Sequence, residues 1–119
     1  MNRILESQQI KESHFPITAF FNVLADSEFL EVIENLSKEV GTAINDVRCT
    51  FPCELEPDEE SFEGIEFGVI DEEVIVDYPT FYYYLRIACD SYISDFPQYK
   101  EKIESLLKVI AQKYNIEEV

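Results

Sequence analysis

The sequence predicts an α+β fold. A small antiparallel sheet, made of a hairpin at residues 62–78 and a possible strand near 44–51, is packed with N-terminal and C-terminal helices. Three observations predict it. Ile65, Phe67 and Val69, and then Val74 and Val76, alternate with other residues, the period-two pattern of half-buried strands. Ile17, Phe20, Phe21 and Leu24 recur at three- and four-residue spacing, as do Phe29, Ile33, Leu36 and Val40, which is the stripe of a helix that buries one side. The C-terminal third carries helical spacing twice, through Phe81, Leu85, Ala88 and Tyr92 and then through Tyr99, Ile103, Leu106, Leu107, Ile110 and Tyr114. At 119 residues the chain is expected to form one domain over 1–119, large enough for a core that needs no staples.

Residues 1–13 are polar and weakly periodic, so an extended or partly frayed start is predicted. Pro16 suits the first turn of a helix, where its missing N–H is not needed. Asp26 or Ser27 reads as the N-cap of a second helix, with Glu28 in the first turn where the dipole favours it and Gly41 as the stop. Val47, Cys49 and Phe51 share a face of the possible strand, and Pro52 ends it. Residues 53–61 form an acidic loop. For the hairpin, a two-residue loop at Asp71–Glu72 sets Val69 opposite Val74, Phe67 opposite Val76 and Ile65 opposite Tyr78. The other face then pairs Glu66 with Asp77 and Gly68 with Ile75. Asp-Glu is a poor sequence for a tight hairpin turn, so a longer loop and a shifted register stay open. Asp77 is expected to cap the next helix, with Pro79 in its first turn. Tyr82, Tyr83 and Tyr84 stand about 100° apart around that helix, so at least one faces solvent or a partner. Ser94 or Asp95 is expected to cap the last helix and Pro97 to start it, with Glu104 and Lys108 paired at i,i+4.

Charge narrows the function. The 25 acidic and nine basic residues give a formal net charge of −16. Eleven of the acidic residues fall within 54–77, a stretch without Lys or Arg. This opposes binding to a phosphate backbone or an anionic membrane and favours a basic partner. The plainer reading is that the charge keeps the chain in solution. The first twelve residues lack the apolar core of a signal peptide, and no run approaches membrane-spanning length. A cytoplasmic protein with reduced thiols is therefore expected. Cys49 and Cys53 have a spacing a metal could use, but the second pair is missing, and Cys89 reads as a small buried hydrophobe. No metal or cofactor is expected, although weak Ca²⁺ binding by the carboxylate cluster stays open.

Catalytic patterns are absent from the sequence. His14 is the one histidine, in a polar segment, and reads as a surface or capping residue. There is no nucleophile elbow and no glycine-rich phosphate loop. The run from Asp58 does not match a Ca²⁺-binding EF-hand loop, because Phe62 falls where an oxygen ligand belongs. Paired carboxylates in a solvated loop and hairpin lack the apolar pocket that raises a catalytic pKa. An enzyme is not expected. An acidic surface is suited to a basic protein, whose association it accelerates, and tyrosines beside it supply rigid anchors.

The segments Phe62-Glu-Gly-Ile-Glu-Phe67 and Asp71-Glu-Glu-Val-Ile-Val-Asp-Tyr78, followed by Phe81, Tyr84, Leu85, Ala88, Cys89 and Tyr92, resemble a bacterial family. It is the ribonuclease-toxin immunity proteins of contact-dependent growth inhibition systems. The Phe20–Phe21 pair and Phe29-Leu-Glu-Val-Ile33 are similar too. The resemblance implies a cytoplasmic protein that binds and blocks the C-terminal toxin domain of its cognate delivery protein, often an RNase with a basic active site. It carries over no catalytic residues. The charge and aromatic pattern instead nominates Glu54, Glu56, Asp58, Glu59, Glu60, Glu66, Asp71, Glu72, Glu73 and Asp77 for partner binding, with Tyr82 and Tyr83 as anchors. Carboxylates placed where the toxin holds RNA phosphates would compete with substrate; blocking from a side surface is the other route. A different reading is an acidic nucleic-acid mimic that regulates a basic nucleic-acid-binding protein.

Overall fold

The apolar stripes become helices, and the sheet has one strand more than predicted. The computed structural model describes residues 3–44, 46–59 and 62–116. Helices α1 (Phe15–Val23), α2 (Asp26–Ser37), α3 (Tyr78–Asp95) and α4 (Lys100–Lys113) accompany strands β1 (Thr42–Ile44), β2 (Val47–Thr50), β3 (Ile65–Val69) and β4 (Glu72–Val76). The strands form an antiparallel meander in the order β1-β2-β3-β4. Val47, Cys49, Ile65, Phe67 and Val76 line its buried face. Phe20 of α1 and Phe81 of α3 close on Phe67, with ring centroids 5.4 and 6.1 Å away. Such aromatic pairs add about 0.5–1.5 kcal/mol beyond the area they bury. α2 joins through Phe29, stacked on Tyr92 of α3 at 4.4 Å, and packs against α4.

Several boundaries differ from expectation, each for a local reason. α2 starts after Ala25, which offers no side-chain cap, so neither Asp26 nor Ser27 is the N-cap. The helix stops at Ser37 rather than running to Val40. Glu39 takes a left-handed φ of 59°, Val40 N–H donates to Asn35 O and Glu39 N–H to Leu36 O, the paired bonds of a Schellman motif. Gly41 is needed instead for close approach, because a Cβ there would collide with the Cys49 carbonyl. The segment predicted as one strand folds back on itself as β1–β2, with Ile44 opposite Val47. α3 runs on to Asp95, and the Pro97–Tyr99 turn precedes α4, which begins only at Lys100. Glu104 pairs with Arg86 of α3 at 3.1 Å, rather than with Lys108.

The main hairpin turns at Ile70–Asp71, two residues away from the predicted register. Val69 faces Glu72, Phe67 faces Val74 and Ile65 faces Val76, while Glu66 faces Ile75 and Gly68 faces Glu73. A shift of two keeps each side chain on its face; a shift of one would have exposed the core. Asp77 and Tyr78 are claimed by α3, where Asp77 accepts from Thr80 N–H at 2.9 Å, so they cannot extend the ladder. The turn forces Ile70 to φ 53°, a region that β-branched residues avoid.

Residues 3–14, for which an extended or partly frayed start is predicted, form an arm with two short 3-10 turns, Glu6–Gln8 and Glu12–His14, bonded to the helices. Arg3 donates through Nη1 to the Phe21 and Leu24 carbonyls at the end of α1 and pairs through Nη2 with Asp26 at 2.7 Å. Its guanidinium lies 4.6 Å over the Phe29 ring. Ile4 is buried, with its main chain bonded in both directions to the Asn22 side chain. Tyr83 OH donates to Gln8 O, and Tyr84 OH accepts from Ile10 N–H at 2.8 Å. His14 is buried rather than on the surface, its Nδ1 2.8 Å from the same Tyr84 hydroxyl.

Candidate partner-binding surface

The meander divides the acidic stretch between two ends of the sheet. The loop between β2 and β3 leaves beside the Thr50–Glu66 pair, whereas the β3–β4 turn lies beyond the Val47–Val69 pair. Glu56, Asp58 and Glu59 are exposed at the first end, and Glu60 lies outside the described residues. Asp71 and Glu72 are exposed at the second. None of these five makes an ion pair among the described residues. Asp46 joins the second end, where its carbonyl accepts from Ile70 N–H at 3.0 Å. In sequence Asp46 lies outside the acidic run, and only strand pairing brings it there.

The other nominated carboxylates serve the fold as well. Glu54 accepts from Gly41 N–H at 3.1 Å through both oxygens and from Phe51 N–H at 2.9 Å, pinning its loop to the end of β2. Asp77 caps α3, and the bonds to Thr80 hold its carboxyl below the usual carboxylate range. On the outer face of the sheet Glu66 and Glu73 come together, with Arg48 beside them, its Nη2 3.6 Å from Glu73. Gly68 makes room, since a Cβ there would run into the guanidinium. Burial, then the bond to Glu73 and its charge, push the Glu66 carboxyl up, while Arg48 opposes them. Two carboxylates and one guanidinium leave a formal −1 on that face, so the unmatched charge sits at the sheet ends.

Tyr82 and Tyr83, expected as anchors, differ in exposure. Tyr82 is only 8% exposed and engages Arg86 beside α4. Tyr83 is exposed, but its hydroxyl is given to the arm.

A groove of about 1230 Å³ runs between the arm, α1 and the start of β4. Phe15, Pro16, Thr18, Ala19 and Asn22 of α1 form its floor. Glu6 and Glu12 of the arm and Glu72 and Glu73 of β4 stand on its rims, with Lys11. Nothing in the hydrophobic pattern alone predicts it, because the arm that walls it is held by hydrogen bonds.

The family model described as CDI immunity protein, where CDI is contact-dependent growth inhibition, matches residues 10–107. The chain belongs to this family. A search of the curated proteins found no match. The family function is toxin-neutralising immunity, so this immunity protein has a cognate toxin as its partner. The matched residues take in the sheet, both acidic ends, α1 and most of the groove. Among the described residues no helix is long and apolar enough to cross a membrane, and no group of three or more His, Cys, Asp or Glu is placed to hold a metal ion.

Proposed function

We propose that this immunity protein binds the C-terminal toxin domain of its cognate delivery protein, an RNase with a basic active site, and blocks it with carboxylates placed where RNA phosphates lie. One observation carries the reading. Glu56, Asp58, Glu59, Asp71 and Glu72 are exposed and lack an ion pair among the described residues, and the sequence offers no Lys or Arg between Arg48 and Arg86 to neutralise them. Carboxylates held this way on a packed scaffold steer a cationic protein and speed its association. Glu66 and Glu73 contribute less, since Arg48 already answers part of their charge. A nucleic-acid mimic acting on another basic protein would use the same carboxylates; the family match weighs for the toxin.

The test is co-expression with the cognate toxin domain, read as growth rescue and intact cellular RNA, followed by kinetics on the purified pair. Replacing the five carboxylates by Lys is expected to slow association at least about tenfold at low salt and to flatten its salt dependence. Inhibition should be competitive with RNA. Association and salt dependence that match wild type would overturn the acidic docking, and noncompetitive inhibition would overturn active-site blocking.

A further inference from the structure

We infer that the groove beside α1 seats an apolar segment of the toxin domain that is flanked by Lys or Arg; this rests on the toxin-binding reading above. α1 reads FPITAFFNV and has no charged residue. Its inner stripe of Ile17, Phe20 and Phe21 is fully buried. Its outer stripe of Phe15, Ala19 and Val23, four residues apart, is apolar as well, and Phe15 is 43% exposed. A surface helix normally puts charged residues on that side; here the polar residues of the helix are Thr18 and Asn22, and the Asn22 side chain is bonded to the Ile4 main chain. Here the charge stands on the walls and leaves an uncharged floor, where Phe15, Pro16 and Ala19 lie beside Thr18 and Asn22.

The rims define the occupant. Glu6, Glu12, Glu72 and Glu73 against Lys11 give a formal −3, or −2 once Arg48, which pairs with Glu73, is counted. A segment with an apolar centre and cationic flanks satisfies floor and rims together. A second copy of this chain, at −16, brings the wrong sign, and so does an anionic lipid surface. The volume exceeds the usual small-molecule pocket of about 300–1,000 Å³ and suits a length of peptide. Glu72 belongs both to the rim and to the acidic end at the β3–β4 turn, so one docking event covers both. That turn also presents Ile70, 66% exposed in a left-handed conformation, an apolar residue kept where the backbone disfavours it.

The test uses the full chain and the purified toxin domain, with dissociation constants measured by calorimetry. Phe15→Ala and Ala19→Arg change the floor, and thermal melts verify that each variant is folded. Phe15→Ala is expected to weaken binding about 10- to 100-fold, chiefly through faster dissociation, with the salt dependence retained. Ala19→Arg should weaken it further; if that variant does not fold, Phe15→Ala decides. The reversals Glu56→Lys, Asp58→Lys and Glu59→Lys, at the far end of the sheet, should slow association instead. If the floor variants bind like wild type while those reversals weaken binding, the groove inference is wrong and the acidic docking stands. If the wild-type chain does not bind the toxin domain, both fall. A change in self-association on light scattering, with toxin affinity unchanged, would make the occupant a second copy and overturn the inference.

Discussion

Arg3→Ala should cost this protein about 3 kcal/mol, although Arg3 lies in the segment that looks least structured in the sequence. The side chain is 9% exposed. It bonds two carbonyls, Phe21 O at 2.8 Å and Leu24 O at 2.6 Å, which are among the unsatisfied acceptors that end α1. Hydrogen bonds from a charged donor contribute roughly 1.5–3 kcal/mol each, less where water replaces the lost partner. The cation over Phe29 adds about 0.5–2 kcal/mol. The pair with Asp26 adds little, roughly 0.2–1 kcal/mol, because Asp26 is 65% exposed. These terms share one side chain and are not additive, which brings the expected loss to about 2–4 kcal/mol. Arg3→Lys should recover less than half, since an ammonium cannot reach both carbonyls and lie flat on the ring. Asp26→Ala should cost under about 1 kcal/mol. Urea unfolding measures all three, and the Tm of Arg3→Ala should fall by about 10 °C or more for a chain of this size. A loss below about 0.5 kcal/mol for Arg3→Ala would show that the arm is not docked, and the groove would lose its wall.

His14, Glu54 and Thr18 each serve the fold in a way that a substitution can read. Burial, aided by Lys11 and opposed by Asp77, keeps the His14 pKa below its ordinary 6.5. A folded pKa below the unfolded one gives stability that is complete above about pH 6.5 and is lost as pH falls. The urea midpoint should therefore drop between pH 7 and pH 5, and His14→Gln should flatten that slope; parallel curves would refute the assignment. Glu54→Ala removes the acceptor for Gly41 and Phe51 and should destabilise by about 1.5–3 kcal/mol while toxin affinity holds. Lost affinity with stability intact would return Glu54 to the docking surface. Thr18 Oγ1 is shielded, with no hydrogen-bond partner among the described residues. Thr18→Val, of the same shape, should stabilise by about 1 kcal/mol, and a destabilised variant in the unfolding curve would reveal a partner for the hydroxyl.

The parts of the fold that were legible in the sequence are those that bury a stripe. Phe20, Phe21, Phe67 and Phe81 meet because period two and period 3.6 bring their elements to one core, and the patterns identify the face of each strand. Period two does not fix register to within two residues, however. The turn moved to Ile70–Asp71 because α3 claims Asp77 through its cap, a competition between neighbouring elements that no single window displays. The arm was illegible for another reason: its anchors are main-chain groups, an Asn side chain and tyrosine hydroxyls. The site divides the same way. The acidic run is visible as composition, but Glu54 and Asp77, though exposed, are bonded to backbone N–H groups, Tyr82 is covered and engages Arg86, and Asp46 arrives from outside the run.

The placement of the few cations argues for what the free protein lacks. Lys38, Arg86 and Lys102 pair with acidic side chains of the helices, Arg3 with Asp26, and Lys113 bonds Ser37 O at the end of α2. Of the cations in ion pairs among the described residues, Arg48 alone lies on the sheet. The helices thus hold five of the nine basic residues, Arg86, Lys100, Lys102, Lys108 and Lys113, while the sheet ends repel themselves, and self-repulsion of that kind destabilises a compact state. Added salt should act in opposite senses on the two properties. The screening length falls from about 30 Å at 0.01 M to about 8 Å at 0.15 M. Over that range the Tm of the free protein should rise, as repulsion between the carboxylates is screened. Association with the toxin domain should slow over the same range, because the attraction is screened equally. If salt lowers the Tm, attractive pairs dominate the free protein. The carboxylates would then be matched within the fold and would have no field left to offer a cationic partner.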